Sequence, residues 1–246
     1  KEQKIKEKSK KNSKGVKTAL MEEAAPFGLV EAFRNLSMNL GYALPKSKED
    51  GARVICISSS IAGEGKSTIS ANLALSLANN GYKTMLVDCD MRKPQLRRVF
   101  QTDIEVGLVD YLSGNAAMEK VITKNIVNHL DCVFARRTAP NPIALIRSDR
   151  FKKMLDQFAS EYDYVLIDTP PIDVVSDAVA IATQTDGIAL ITRQMQSNHA
   201  LVRRAISEIT FAGANFLGFV LNDLNLKKIN GSYKKYKYKY GYKYKY

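Results

Sequence analysis

The sequence predicts an α/β fold in which a mostly parallel β-sheet is covered by helices on both faces. Two observations support this prediction. Short apolar runs alternate along the chain with longer segments of helical periodicity, and the predicted strands are continuously apolar rather than alternating. Continuous apolar strands are typical of a parallel sheet that is buried on both faces. The 246 residues, 45% of them hydrophobic, suffice for one such core with flanking tails.

The elements follow in order from the apolar pattern and from the residues that interrupt it. Apolar residues at helical spacing predict a helix over residues 27–41, which Gly41 and Pro45 end. The predicted strands are 53–58, 83–88, 130–135, 164–168, 187–192 and 216–222. The predicted helices are 66–80, 142–160, 176–183 and 199–211, and residues 95–128 are predicted to be short helices and loops.

Composition divides the chain into four parts. Residues 1–18 form a lysine-rich leader that we expect to be disordered and flexible. Residues 19–45 form a helical arm, a candidate for oligomerisation. Residues 50–226 form the α/β domain, and residues 227–246 form a tail rich in Tyr and Lys.

The net charge of +12 is concentrated in the two ends of the chain. Residues 1–18 hold eight Lys and two Glu, a net of +6, and residues 233–246 hold six Lys and no acid, another +6. The remainder is neutral, which argues against a nucleic-acid groove on the folded body. Two interpretations of the leader stay open: a segment lying against anionic lipid on the cytoplasmic side, and a solvated leader.

The cysteines and histidines show no metal or disulfide pattern. Cys56, Cys89 and Cys132 lie in apolar settings without C-x-x-C spacing, so we expect buried free thiols in a reducing compartment. His129 and His199 are isolated. No run approaches 18 apolar residues and no signal peptide is visible, so we expect a soluble chain whose membrane link runs through a tail or a partner.

The stretch SSSIAGEGKST, residues 58–68, lies between the first predicted strand and the first long helix. A phosphate-binding loop occupies this position in nucleotide-binding α/β folds, although an ordinary glycine-rich turn is the alternative. Glycines let backbone N–H groups approach the phosphates, the lysine reaches the β- and γ-phosphates, and the serine hydroxyl ligates Mg²⁺. The usual first glycine of G-x-x-x-x-G-K-[ST] is Ser60 here. The predicted nucleotide contacts are Gly63, Glu64, Gly65, Lys66, Ser67 and Thr68.

Two further strands bring acids to the same edge of the sheet. YVLIDTPP (164–171) carries Asp168, which is predicted to hold Mg²⁺ through water, or else to serve as a plain cap or turn residue. MLVDCDMRKP (85–94) carries Asp88 and Asp90, whose i, i+2 spacing at a strand end places both on one face. One acid can then ligate Mg²⁺ while the other accepts the proton of an incoming hydroxyl.

Together, GEGKST, LVDCDMRKP and VLIDTPP resemble the Walker A, A′ and B motifs of the bacterial protein-tyrosine kinases (BY-kinases) of capsule and exopolysaccharide assembly. The resemblance covers about residues 27–226, and the Tyr-rich tail completes it. It implies a P-loop NTPase-like fold, ATP and Mg²⁺ as cofactors, and an ATP-dependent tyrosine kinase that regulates capsular or exopolysaccharide synthesis or export.

Carried over by position, the resemblance also implies roles for individual residues. Lys66 would contact phosphate, and Ser67, Asp90 and Asp168 would contact Mg²⁺. Asp88 and Asp90 together would lie at the metal and the tyrosine hydroxyl; which of the two is the base stays open, and we favour Asp88. Asn222 resembles an adenine-contacting position of related ATPases, with a turn residue as the alternative.

The tail is interpreted as the kinase's own substrate, phosphorylated in trans, and as a charge switch. An edge strand and a stacking platform for single-stranded nucleic acid or sugar are the alternatives. The predicted autophosphorylation sites are Tyr233, Tyr236, Tyr238, Tyr240, Tyr242, Tyr244 and Tyr246.

The resemblance implies partners as well. Family members form rings through a helix bearing E-x-x-R-x-x-R; here EAFRNLS supplies Glu31 and Arg34 but has Ser37 in place of the last Arg. A homo-oligomer, with a ring as one form, is therefore expected, and a solvated helix face is the alternative. The resemblance further implies a transmembrane activator of the polysaccharide co-polymerase type, separate or fused upstream, a cognate phosphatase, and a cytoplasmic location at the inner face of the membrane.

The second hypothesis is a switch ATPase of the septum-positioning or plasmid-partition type. Those proteins share the fold but carry a signature lysine in K-G-G-x-G-K-[ST], where this chain has Ile61. A third hypothesis, a scaffold with an inactive nucleotide site, conflicts with the presence of every expected carboxylate.

Overall fold

The computed structural model describes residue 20 and residues 25–44 and 51–224. The predicted leader, most of the linker at 46–51 and the Tyr-rich tail with its seven predicted phosphorylation sites lie outside the described residues. Within the described part of the chain, no helix has the length and apolar character needed to cross a bilayer.

A seven-stranded sheet forms the centre of the domain. Its strands are β1 (Arg53–Ser59), β2 (Thr84–Asp88), β3 (Ile122–Val127), β4 (Leu130–Val133), β5 (Tyr164–Asp168), β6 (Gly187–Arg193) and β7 (Phe216–Asn222). They lie in the order β3-β4-β2-β5-β1-β6-β7, and every neighbouring pair is parallel except β3 with β4. The prediction of a mostly parallel sheet is confirmed.

Helices cover both faces of the sheet, as predicted. They are α1 (Phe27–Ala43), α2 (Lys66–Asn79), α3 (Leu96–Val99), α4 (Leu108–Leu112), α5 (Met118–Val121), α6 (Pro142–Ile146), α7 (Asp149–Glu161), α8 (Asp177–Ala182) and α9 (His199–Phe211). Alternate strand residues point to opposite faces: Cys56 and Val87 belong to the hydrophobic cluster that includes α7 and α8, whereas Ile57 and Leu86 belong to the cluster under α1 and α2. All three cysteines are buried and free, as expected.

Helix α1 continues through Gly41, where it was predicted to end, to Ala43. Apart from such differences of one or two residues at the ends of elements, the prediction was wrong at two places. The helix predicted over 142–160 is two helices, because Ser148 starts a new one: its side chain accepts a hydrogen bond from the Phe151 N–H at 3.3 Å. Strand β3 lies in the segment predicted to contain only short helices and loops. It is an edge strand with exposed Lys124 and Asn125 and an irregular pairing, so it lacks the continuous apolar pattern of the inner strands.

The α1 helix packs on α2 through a face that includes position 37. Ser37 is buried, its hydroxyl donates to the Phe33 carbonyl at 2.9 Å, and it lies 3.5 Å from the Ser76 hydroxyl. Position 37 therefore faces the body of this domain. Glu31 and Arg34 form an i, i+3 ion pair of 2.9 Å on the solvent side of the same helix.

Candidate nucleotide and metal site

The carboxyl ends of the three central strands converge on the start of α2. The loop after β1 leads directly into α2 at Lys66, and it turns through Gly63 and Gly65, whose φ angles are +87° and +94°. Only glycine adopts such angles readily. On one side of β5, Asp168 is in register with Asp88 of β2, and on the other it is in register with Ile57 of β1. Parallel pairing therefore brings the predicted acids to the predicted phosphate loop.

Lys66 lies among carboxylates at this edge. Its ammonium is 3.0 Å from an Asp90 oxygen and 3.6 Å from an Asp168 oxygen, and it donates to the Ser67 hydroxyl at 3.2 Å. Burial alone would lower the pKa of Lys66, but the negative charges of Asp168 and Asp90 outweigh burial, and the net shift is upward. Lys66 is therefore held in its charged form.

Asp168 is fully buried and held by two serines. It accepts hydrogen bonds from the Ser67 hydroxyl at 2.6 Å and from the Ser70 hydroxyl at 3.0 Å. Burial raises the pKa of Asp168, and the Lys66 charge opposes this shift. Ser70 was missed by the sequence interpretation; its position one turn after Lys66, on the same face of a helix, is the signal that could have identified it.

Asp88 and Asp90 lie close together, but turn geometry rather than strand alternation places the second. Strand β2 ends at Asp88, and Asp90 follows in a turn where it accepts from the Lys93 N–H at 2.9 Å. Asp88 is fully buried and accepts from the N–H groups of Asp90 at 3.2 Å and Leu96 at 3.3 Å. Burial, reinforced by the charge of Asp168, raises the pKa of Asp88 well above its ordinary range.

The donor set fits Mg²⁺ with a polyphosphate. Three buried carboxylates surround one ammonium, so a further cation would relieve their repulsion. Among the residues described, no three His, Cys, Asp or Glu side chains form a ready-made metal cage. Mg²⁺ seldom needs one, because it usually takes one or two carboxylates and completes its shell with water and phosphate oxygens. Ser67, Asp90 and Asp168 lie together at this edge and could supply such ligands.

The remaining predicted nucleotide contacts lie around the loop. The Glu64 carboxylate is buried within it, bonded to the Ser60 hydroxyl at 3.0 Å and the Ile61 N–H at 2.9 Å. Thr68 is half-buried at the start of α2. The Asn222 amide donates to the Glu64 carbonyl at 2.9 Å, so in this structure Asn222 contacts the loop backbone.

An ion pair between an exposed arginine and a buried aspartate, next to the turn that carries Asp90, was not predicted. Arg92, in the turn after Asp90, donates to Asp177 through Nε at 2.7 Å and a terminal nitrogen at 3.2 Å. Asp177 is 2% exposed. The pair ties the turn that carries Asp90 to the start of α8. Its partners are separated by 85 residues, and no local signal connects them.

Comparison with known proteins identifies relatives of this chain. Residues 52–210 match the model of the AAA domain family. The chain is 38% identical over 196 residues to the tyrosine-protein kinase CpsD of Streptococcus agalactiae. The aligned region covers 79% of this chain and 83% of CpsD.

Solved structures agree with this relationship. The kinase domain of the Escherichia coli tyrosine kinase ETK superposes with a TM-score of 0.79 at 26% identity, over 89% of this chain and 85% of that one. The septum site-determining protein MinD of Pyrococcus horikoshii, complexed with Mg-ADP, gives a lower TM-score of 0.60 at 25% identity, over 69% of this chain and 70% of that one.

Proposed function

The chain belongs to the family of bacterial tyrosine-protein kinases, and from this membership we propose that it transfers the γ-phosphoryl group of ATP to protein tyrosine hydroxyls. We further propose that it phosphorylates its own tail in trans and thereby regulates capsular or exopolysaccharide synthesis or export. The observation that carries the proposal is the convergence of Lys66, Ser67 and three buried aspartates at the end of the phosphate loop.

Bound Mg·ATP supplies the reactive phosphoryl group together with a cation that offsets its charge. The residues of this chain bind and orient it. The N–H groups of the loop, including those of Gly63, Glu64 and Gly65, cradle the phosphates, and Lys66 contributes a charged ammonium. Ser67, Asp90 and Asp168 would hold the metal. Thr68 and Asn222 complete the proposed nucleotide contacts.

Asp88 is the proposed acceptor of the tyrosine proton. A carboxylate whose pKa is raised by burial binds a proton more strongly than an ordinary one, which suits a base at neutral pH. Two backbone N–H groups hold the orientation of the Asp88 side chain. Asp90 already accepts hydrogen bonds from the Lys66 ammonium and from the Lys93 N–H. These contacts favour the metal role for Asp90 over the role of proton acceptor.

The tail has the reach and the charge of a substrate for a neighbouring copy. About 20 residues span roughly 65 Å when extended and about 25 Å on average as a flexible coil. The six lysines and seven tyrosines of residues 233–246 suit docking beside an acidic site. Each phosphotyrosine adds about −1.5 to −2 charges, so three or four would cancel the +6 of residues 233–246 and release the tail from that site.

The proposed partners follow from the family and the charge distribution. A transmembrane activator would hold the kinase at the inner face of the membrane, with the lysine-rich leader against anionic lipid. A cognate phosphatase would reset the tail. Copies of the chain would assemble into an oligomer, with a ring as one form, through the helix that carries Glu31 and Arg34.

Phosphotyrosine formation tests the kinase directly. Incubation with Mg·ATP should add several increments of about 80 Da to the intact mass, the size of one phosphoryl group. Lys66→Met should abolish the increments, whereas Lys152→Met, which removes an exposed lysine of α7, should not. ATP hydrolysis without a gain in mass would instead indicate a switch ATPase.

A mixing experiment tests phosphorylation in trans. Full-length Lys66→Met protein is mixed with active protein that lacks residues 227–246, so only the inactive copy has tyrosines in a tail. Phosphate on the inactive copy is the expected result. An unmodified inactive copy beside an active truncated enzyme would contradict the trans mechanism.

A further inference from the structure

The phosphate loop is held from outside by a second loop. Residues 193–197, RQMQS, end β6 and lead towards α9; we call them the clamp loop. The Gln196 amide donates to the Ala62 carbonyl at 3.4 Å, and the Arg193 guanidinium donates to the Gly63 carbonyl at 3.1 Å. The Ser197 hydroxyl donates to a carboxylate oxygen of Glu64. Three side chains of the clamp loop thus bind three successive residues of the phosphate loop.

Glu64 is the centre of this arrangement. Its side chain is fully buried and accepts from Ser60, from the Ile61 N–H and from Ser197. A buried carboxylate requires partners of this kind, since leaving it unpaired is costly. Ser197 is itself oriented, because its oxygen accepts from the Arg193 N–H at 2.7 Å. One carboxylate therefore links the start of the phosphate loop to the clamp loop.

The end of β7 reinforces the clamp. Asn222 donates to the Glu64 carbonyl at 2.9 Å, and the next residue, Asp223, forms an ion pair of 2.9 Å with Arg193. The carbonyls of Ala62, Gly63 and Glu64 consequently all accept from residues of the clamp loop or of β7.

The geometry of the peptide bond links these contacts to the direction in which the N–H groups of the phosphate loop point. In a trans peptide, the carbonyl of one residue and the N–H of the next point in opposite directions, and the described residues contain no cis peptide. Holding the carbonyls of Ala62, Gly63 and Glu64 on the clamp side therefore directs the N–H groups of residues 63, 64 and 65 to the opposite side. Successive N–H groups that point the same way form an anion-binding concavity.

We propose that Glu64 and Ser197 are positioning residues that preset the phosphate loop for polyphosphate through the clamp loop. The proposal rests on the proposed nucleotide site and assigns the Glu64 side chain to the loop rather than to the nucleotide. Ser197 lies 133 positions from Glu64 and outside all three nucleotide motifs. Its hydroxyl sets the orientation of N–H groups that it does not touch.

Ser197→Ala tests the proposal with two readouts. Amide hydrogen exchange of residues 62–66, measured without nucleotide, should be at least several-fold faster in the variant. The dissociation constant for Mg·ADP should rise about tenfold. This factor corresponds to the lower end of the free energy that a hydrogen bond to a charged group contributes. Ser197→Thr, which keeps the hydroxyl, should restore both values to within about twofold of wild type. Ser160→Ala removes an exposed serine hydroxyl of α7 and should change neither.

The outcomes separate the two proposals. Unchanged loop exchange in Ser197→Ala, or failure of Ser197→Thr to restore it, overturns the clamp. Faster loop exchange in Ser197→Ala supports the clamp even if the wild-type protein does not bind Mg·ADP. Absence of Mg·ADP binding by the wild type overturns the nucleotide site. Where Ser197→Ala does not fold, Gln196→Ala applies the same two readouts to the neighbouring contact at Ala62.

Discussion

Gly65→Ala is expected to destabilise the domain far more than the same change at Gly81, although both glycines have similar backbone angles. Their φ values are +94° and +87°, and an alanine in that left-handed region costs about 1–2 kcal/mol. At Gly81 a new Cβ meets nothing within 4 Å. Gly81→Ala therefore isolates the backbone term, about 1–2 kcal/mol of unfolding free energy.

At Gly65 a new Cβ collides with the side-chain amide of Asn222. Relief of the collision moves Asn222 and breaks its 2.9 Å hydrogen bond to the Glu64 carbonyl, which contributes about 1 kcal/mol. Residual overpacking adds about 1–3 kcal/mol. Gly65→Ala should thus cost about 3–6 kcal/mol, roughly 2–4 kcal/mol more than Gly81→Ala.

Equilibrium unfolding in urea, followed by far-ultraviolet circular dichroism, measures both variants. The chain has no tryptophan, so circular dichroism is preferred to fluorescence. Asn222→Ala in the Gly65→Ala background should recover much of the packing cost. Equal destabilisation by the two glycine substitutions, or no recovery in the double variant, would refute the reasoning. Gly65→Ala should also lose Mg·ADP binding, which Gly81→Ala should retain.

Three further predictions use the core, the thiols and the acids. Phe158→Ala should cost about 3–5 kcal/mol of unfolding free energy, whereas Phe211→Ala should stay within about 0.5 kcal/mol, because Phe158 is fully buried and Phe211 is 95% exposed; similar urea midpoints for the two would contradict this. Burial raises the pKa of Cys56 to about 12, so its reactive thiolate is negligible at pH 8 and appears only as the pH approaches 12; mass spectrometry should find Cys56 unmodified by iodoacetamide in native protein at pH 8 and modified in urea. Asp88→Asn should lower kcat by about 10²–10⁴-fold with little change in nucleotide affinity, whereas Asp90→Asn should raise the Mg²⁺ concentration needed for half-maximal activity; identical effects on rate and Mg²⁺ affinity would show that the roles are not divided in this way.

The buried position of Ser37 bears on assembly. In this chain the residue that replaces the last Arg of the family's ring motif packs on α2. An arginine there would have to leave this packing or displace α1. Any contact between copies through this helix must therefore depend on its exposed side, where Glu31 and Arg34 lie.

The sequence by itself determined six of the seven strands of the described sheet and the position of the phosphate loop. Strands β5 and β7 and helix α9 have the predicted bounds, because a strand or helix buried on a defined face must show the corresponding apolar periodicity. The motif residues Lys66, Ser67 and Asp168 converge as expected, because parallel strands bring their carboxyl ends to one edge. The break at Ser148 also had a local signal, the side chain of a helix cap.

Only the tertiary structure decided which distant side chains complete the site. Arg92 meets Asp177 and Glu64 meets Ser197 because separate loops are brought together by strand pairing. Periodicity records which face of an element is buried, but it does not record what lies against that face or beyond its end. Hydrogen bonds between loops depend on the packing of the whole sheet, so the residues that shape the phosphate loop could not be identified from its motif.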